Sequence, residues 1–409
     1  MNNLLLIYKD NDTYFVKNNC NGSIVKLNQN YYEMLLNKKE EVIKKLFDNN
    51  FFISGCKNVK EMSFFCVVDN SCNLKCPYCF EQNKNNEYFD NQKIYVLIEN
   101  LKNIIFLSGL ECLNVTFTGG EPLLRFPSIK KICNEINLLS KKYNVTINYD
   151  IITNGTLIAN EMLNFFNINR FNIQISFDGY KELHNKFRFF DDKKGTFECI
   201  IEKLYEIKKY PLINVNIRIN ICSNEKTKYF ELIEMLYKEF EKFRIYIDFV
   251  DVPIFSKYYL NDSEKLRMYN SFVELMVRNK RRDVFNYIEG GECMVRNKFA
   301  FTITPNMNFY RCYSFVGTEK LKYFSYQELC LDTSKTTFLC NNEKCMFSEY
   351  CSGGCIYKNY IVNNKLDIQC KYKFIEKMNK IIFLNELVKY GVKITEENDK
   401  NVQFFMLNI

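Results

Sequence analysis

Hydrophobic and polar positions change their rhythm twice along this chain. In residues 1–60, strand-like runs come first: Leu4–Tyr8, Thr13–Val16 and Ser23–Leu27. Helical stretches follow near Tyr31–Leu36 and Glu40–Phe47, then the apolar Phe51-Phe52-Ile53. So short a mixture predicts a small α+β unit, either a winged-helix-like module or a packing flap. From residue 61 to about 252 strands and helices alternate. The strand-like runs are Ser63–Val68, Val115–Thr118, Thr146–Ile152, Ile173–Phe177, Val215–Ile221 and Arg244–Val250. Between them, stretches such as Gln92–Leu107, Ser128–Lys142 and Phe197–Lys209 place apolar residues three and four apart, the spacing of an amphipathic helix. Six strands alternating with helices predict an α/β fold. Its mostly parallel sheet would curl toward a partial (β/α)6 TIM-like barrel, with any ligand at the carboxyl ends of the strands. After residue 252 the alternation stops. A helical linker is expected over 253–289, a Cys-rich extension over 290–372, and a helix and tail over 373–409.

Composition narrows the class. The chain has 409 residues, of which 47% are hydrophobic and 25% charged, enough for a sizeable core and unlike a disordered chain. Lys and Arg total 56 against 48 Asp and Glu, a net charge of +8. That is only mildly basic, and no basic block is interleaved with aromatics, so no nucleic-acid partner is expected. No apolar run reaches the ~18–20 residues of a membrane span, and Met1 to Asp10 has no basic leader, so a cytoplasmic protein is expected. There are 18 Cys, a single His (His184) and no Trp. One histidine excludes His-cluster chemistry. Without a secretory signal, metal or cluster ligation is a better reading of the cysteines than disulfides.

The cysteines fall into two groups. Cys72, Cys76 and Cys79 form C-x3-C-x2-C directly after the first barrel strand. Three thiolates in eight residues can converge on one inorganic centre. Zinc would want a fourth ligand nearby, whereas a [4Fe–4S] cube held by three would keep one iron open. Thr118-Gly119-Gly120-Glu121-Pro122 ends the next strand. Its glycines allow close backbone approach to a ligand, and its carboxylate can hold an ammonium. The second group is Cys293, Cys312, Cys340, Cys345, Cys351, Cys355 and Cys370, around Cys351-Ser352-Gly353-Gly354-Cys355. Seven thiolates are too many for one centre and nearly enough for two; a zinc ribbon or paired zinc knuckles is the rival reading. The other eight cysteines (20, 56, 66, 112, 133, 199, 222 and 330) read as small buried hydrophobes.

From Ser63 to about Val252 the sequence resembles the radical S-adenosylmethionine (SAM) superfamily. The resemblance implies that Cys72, Cys76 and Cys79 hold a [4Fe–4S] cluster whose fourth iron is chelated by SAM. Reduction, by a donor such as flavodoxin or ferredoxin, would cleave SAM to a 5′-deoxyadenosyl radical. It further implies that Tyr78 lies beside the adenine and that Gly119, Gly120 and Glu121 hold the SAM amino group. Asn154, Ser176, Asp178 and Arg188 are expected around the SAM site, and His184 reads either as part of that run or as a surface or helix-start residue. The C-terminal cysteines resemble the SPASM extension of peptide and protein maturases, which carries two auxiliary [4Fe–4S] clusters. By that resemblance Cys293, Cys312 and Cys355 serve the first, with a remote thiol such as Cys330 or an open iron completing it, and Cys340, Cys345, Cys351 and Cys370 serve the second. Two departures stand out. Cys340-x4-Cys345 replaces the usual C-x2-C, and Met307 stands where a Gly usually precedes the cysteine matching Cys312.

The expected function is modification of a ribosomally made precursor peptide, such as thioether or other cross-link formation. A module at residues 1–60 would bind its leader by strand addition or act as a flap. One alternative is an anaerobic sulfatase-maturating enzyme, which needs a general base near the substrate; Asp248 and Asp251, at the end of the sixth strand, are the candidates. Another is a non-catalytic zinc-binding protein.

Overall fold

The computed structural model describes residues 2–19, 22–49, 51–52, 60–79, 87–281, 293–295, 297, 299–331, 345–347, 354–365, 370–393 and 398–408. The amino-terminal unit comprises β1 (Asn2–Asp10), β2 (Thr13–Asn18), β3 (Ile24–Asn28), α1 (Gln29–Leu36) and α2 (Glu40–Asp48). Leu4 to Tyr8 is apolar without a break, and the structure shows why: both faces of β1 are covered. Leu5, Ile7, Tyr14 and Val16 pack on α1 and α2 through Leu35, Val42 and Leu46. Leu6, Tyr8 and Phe15 pack on Phe383, Leu384 and Leu387 of the helix Tyr372–Leu387. A buried ion pair, Lys17 Nζ to Glu386 at 2.8 Å, fastens the same contact.

The central sheet contains β4 (Glu61–Asp69), β5 (Cys112–Gly119), β6 (Thr146–Thr153), β7 (Asn172–Phe177), β8 (Asn214–Ile221) and β9 (Arg244–Phe249), parallel and in chain order. These are the six expected strands of a partial barrel. One face of the sheet is aliphatic and aromatic (Phe64, Phe117, Ile151, Ile173, Ile217, Ile247) and lies in the main hydrophobic core with the crossover helices. Asp90 caps α3 (Asn91–Ser108) by accepting from Lys93 N at 2.9 Å, and Gly109 ends it in the left-handed region at φ 59°. The opposite face is polar. Asn148 donates to Asn114 Oδ1 at 2.8 Å, Asn172 to Asp150 Oδ1 at 2.9 Å, and the Tyr246 hydroxyl to Gln174 Oε1 at 2.6 Å. Polar side chains inside the curl are satisfied by their neighbours across strands.

Two boundaries differ from the sequence reading. The Cys-rich extension does not stand apart from the sheet: β10 (Ala300–Ile303) lies parallel to β4, and β11 (Phe309–Tyr310) pairs antiparallel with β10. The reason is packing, since all of β10 is buried and Phe301 stacks on Phe64 at 5.5 Å, covering an edge that β4 would otherwise expose. The tail beyond the expected helix carries a strand that was not foreseen. After Tyr372–Leu387 it returns as β12 (Val402–Asn408), antiparallel to β1, giving a four-stranded sheet of order β12-β1-β2-β3. Between β9 and the extension, α9 (Asp262–Arg278) starts with an Asn261–Glu264 capping box and packs on the helix Tyr372–Leu387. Among the described residues no helix is long and apolar enough to cross a membrane.

Candidate functional site

The carboxyl ends of β4, β5 and β6 are stitched into one floor. Gly120 N–H donates to Asp69 O at 2.9 Å and Glu121 N–H to Ser71 O at 2.8 Å, so the Gly-Gly turn lies flat on the start of the cysteine loop. A Cβ on Gly119 would sit 2.3 Å from Asp69 O, and one on Gly120 would sit 2.3 Å from Ser71 O. Only glycine allows this approach, and Gly119 also needs its φ of 133°. Glu121 is fully buried. Its carboxylate accepts from Leu123 N (3.0 Å), Thr153 Oγ1 (2.7 Å) and Asn154 N (2.8 Å), although burial raises its pKa. These oxygens thus brace the ends of β5 and β6. Asn154 donates to Asn73 Oδ1 at 2.8 Å, and Asn73 in turn to Thr156 Oγ1 at 2.9 Å, tying the cysteine loop to β6. The loop is clamped below by Asp69 and Arg125 at 2.8 Å and anchored above by Lys75 N–H to Phe189 O at 3.0 Å.

One wall is built around Asp178, at the end of β7 and with no solvent exposure. It accepts from the Tyr78 hydroxyl through Oδ2, and through Oδ1 from Arg188 Nε at 3.1 Å and Asn220 Nδ2 at 3.0 Å. Cys76 lies close enough for its charge to act on both Tyr78 and Arg188. Ser176 is buried one position before Phe177. His184 is neither on the surface nor exposed at a helix start. It is fully buried; its Nδ1 accepts from Asp178 N–H at 3.3 Å, and its Nε2 lies 2.9 Å from Thr196 Oγ1. Thr196 donates its own hydroxyl proton to Arg188 O at 3.2 Å, so Nε2 carries the imidazole proton and the ring is neutral. Burial pushes the His184 pKa down to about 3. An unfolded His takes a proton near 6.5, the buried one only near 3, so stability is complete above pH 6.5 and falls as pH drops through that window. The slope contributed is at most about 1.4 kcal/mol per pH unit. Melting temperatures measured across the window should fall more steeply in the wild type than in His184→Gln; parallel slopes would refute the assignment.

The opposite wall carries Asp248 and Asp251. Arg218 Nη2 lies 2.9 Å from Asp248 Oδ2, and Lys358 Nζ bridges to Asp248 at 3.7 Å and Asp251 at 3.5 Å. Burial opposes the Asp248 charge, yet Lys358 and Arg218 hold its carboxyl below the ordinary value. At Asp251, burial together with the neighbouring Asp248 charge outweighs Lys358 and raises the pKa.

Three cysteines of the second group, Cys293, Cys312 and Cys355, lie near one another and near these carboxylates. Cys312 feels the charges of Cys355 and Cys293, and Cys355 those of Asp251 and Lys358. Burial pushes Cys312 up to about 12. Tyr313 links this group to the barrel: its ring stacks on Phe65 at 5.1 Å, and its phenol faces Arg218, Asp248 and Asp251. Cys345 is half-buried and Cys370 exposed, whereas Cys340 and Cys351 lie outside the described residues. Cys330 is exposed on the helix Tyr326–Leu331, with Tyr326 as its neighbour. Of the other cysteines, Cys66, Cys133 and Cys222 are buried core residues, Cys112 and Cys199 are only half-buried, and Cys20 and Cys56 lie outside the described residues. Met307 adopts φ 57° in the turn between β10 and β11, the conformation that favours glycine, at a cost of about 1–2 kcal/mol. Tyr313, Arg218 and Lys358 were missed from sequence. Tyr313 has one available signal, its place directly after a ligand-type cysteine.

Among the described residues, no three Cys, His, Asp or Glu side chains already grip a common point. The fit to a cluster with SAM rests instead on donor chemistry and shape. The first loop brings three thiols, and the Gly119-Gly120 turn beside it has no room for a side chain.

Comparison with known proteins agrees with this architecture. Residues 67–236 match the family model of the radical SAM superfamily, so this part of the chain is a radical SAM domain. A cysteine-type anaerobic sulfatase-maturating enzyme of Clostridium novyi is 34% identical over 182 residues, which are 43% of this chain and 46% of that protein. The match thus spans less than half of that relative. Native anSMEcpe with bound AdoMet and the Cp18Cys peptide superposes with a TM-score of 0.67 at 20% identity, over 81% of this chain and all of that one. Streptococcus suis SuiB bound to its precursor peptide SuiA gives 0.57 at 13% identity, over 90% and 98%. At such identities these structures speak for the fold, a radical SAM partial barrel with further elements on both sides.

Proposed function

We propose that the protein binds SAM at a [4Fe–4S] cluster held by Cys72, Cys76 and Cys79 and modifies a side chain of a ribosomally made peptide, forming a thioether or another cross-link in a Cys-containing precursor. SAM bound there supplies a hydrogen-abstracting radical. The Gly119-Gly120 turn, braced by Glu121, keeps the floor flat against the cysteine loop. Tyr78, Asp178 and Arg188 form a rigid polar wall beside it, Asn154 ties floor to loop, and Ser176 lies on the inner face. Asp248 and Asp251 are the candidates for a base beside the substrate. Cys293, Cys312 and Cys355 hold a first auxiliary [4Fe–4S] cluster, and Cys340, Cys345, Cys351 and Cys370 a second, in a SPASM arrangement. Residues 1–60 offer the edge strand β3 to a leader peptide. The observation that carries the reading is the first cysteine loop packed on the Gly119-Gly120 turn at the carboxyl ends of β4 and β5, with Cys355 near Asp251 beyond the end of β9 in the same sheet.

A second reading is kept: formylglycine formation on a sulfatase, favoured by the Clostridium novyi relative. Anaerobically purified protein should contain about three [4Fe–4S] clusters and form 5′-deoxyadenosine with a reductant. Incubation with a Cys-rich precursor peptide, and separately with a sulfatase-derived Cys peptide, should give a mass loss from cross-linking in the first only. Formylglycine in the second would transfer the assignment to sulfatase maturation. Zinc without SAM cleavage would sink both.

A further inference from the structure

Between the start of α8 (Lys226–Glu239), α9 and the helix Tyr372–Leu387 runs an open groove of about 770 Å³. Leu266 and Ile381 give it an apolar lining, and Lys226, Arg267, Lys377 and Lys380 contribute four cations. The acid that lines it, Glu264, is spent on Asn261 N–H at 2.8 Å and the Asn224 amide at 2.8 Å. Lys380 is partly balanced by Glu376 at 3.1 Å. The groove is therefore a cationic trough with apolar walls. It reaches the carboxyl-end rim of the barrel: Asn224 lies three residues beyond β8, and Lys265, beside the groove in the first turn of α9, feels the charge of Asp251. A narrow chain can lie in such a trough, whereas a globular acidic protein would meet only its edges.

We infer that this groove docks an acidic, apolar-containing segment of the substrate that flanks the modified residue and leads it to the mouth. The inference rests on the peptide-modifying reading above. Its test uses the full-length reconstituted protein, without SAM, and a short fluorescent peptide alternating Glu and Leu, with a Lys and Leu counterpart as control. Anisotropy should show binding of the Glu–Leu peptide only, and added salt should weaken it because the screening length is about 10 Å at 0.1 M. The Arg267→Glu, Lys377→Glu pair should weaken it roughly tenfold, and Lys226→Glu alone should act in the same direction. Equal binding of both peptides, or binding unchanged by these variants, overturns the inference. So does displacement of the peptide by a flavodoxin, which would assign the groove to an electron carrier. If peptides are modified but the charge pattern is absent, only the groove assignment falls. If the pattern holds and no peptide is ever modified, the functional reading falls and takes the substrate with it.

Discussion

Replacing Gly120 with alanine is expected to abolish reductant-driven SAM cleavage and to lower stability by about 3 kcal/mol. The new Cβ would meet Ser71 O at 2.3 Å, Ser71 C at 2.7 Å and Asn70 O at 2.8 Å. All three are backbone atoms, so no side chain can swing aside. The clash would lift the turn off the cysteine loop and break the Gly120-to-Asp69 and Glu121-to-Ser71 hydrogen bonds together. Both effects are readable: 5′-deoxyadenosine by chromatography, and stability by denaturant melts of protein purified without the cluster. Full cleavage activity in Gly120→Ala would show that the turn does not shape the SAM site.

Replacing Asp178 with alanine should have at least as large an effect on stability. Asp178 is fully buried and serves three donors, one of them the nearly buried Arg188 guanidinium. Removing the carboxylate strands that cation and leaves the Tyr78 hydroxyl and the Asn220 amide without their acceptor. Breaking a buried pair from one side costs about 3–5 kcal/mol. Asp178→Asn keeps the shape and one acceptor but not the charge, so it should recover part of the loss. Equal losses in the two variants would mean that the charge facing Arg188, rather than hydrogen-bond geometry, dominates. A loss below about 1 kcal/mol would show that the network is dispensable.

The barrel was readable because its parallel strands are short stretches rich in apolar residues, each with a helix after it; Ile173–Phe177 and Val215–Ile221, where apolar and polar residues alternate, are plain examples. The first cysteine loop and Gly119-Gly120-Glu121 were equally plain, since three cysteines in eight residues and two glycines at a strand end are local signals. What could not be read was non-local. Nothing near Val402–Asn408 announces a strand whose partner is β1, and Ala300–Ile303 is too short to be distinguished from buried loop. The expectation that Glu121 holds an ammonium rests on its type; its hydrogen bonds to the end of β6 depend on folding. His184 shows the same limit. A single histidine with no local ligand partners gives no hint that it is sealed between Asp178 N–H and Thr196.

The pairing of β1 with β12 has a consequence for biosynthesis. Tyr8 faces Val402 and Leu4 faces Met406, so during synthesis β1 waits for a strand made several hundred residues after it. At ordinary translation rates that interval is on the order of tens of seconds. Throughout it, a strand apolar on both faces has one edge unpaired, the kind of surface that chaperones hold and neighbouring nascent chains capture. A polysome making this chain thus holds a row of such open edges, and the yield of folded protein should depend on how quickly the codons between the two strands are read.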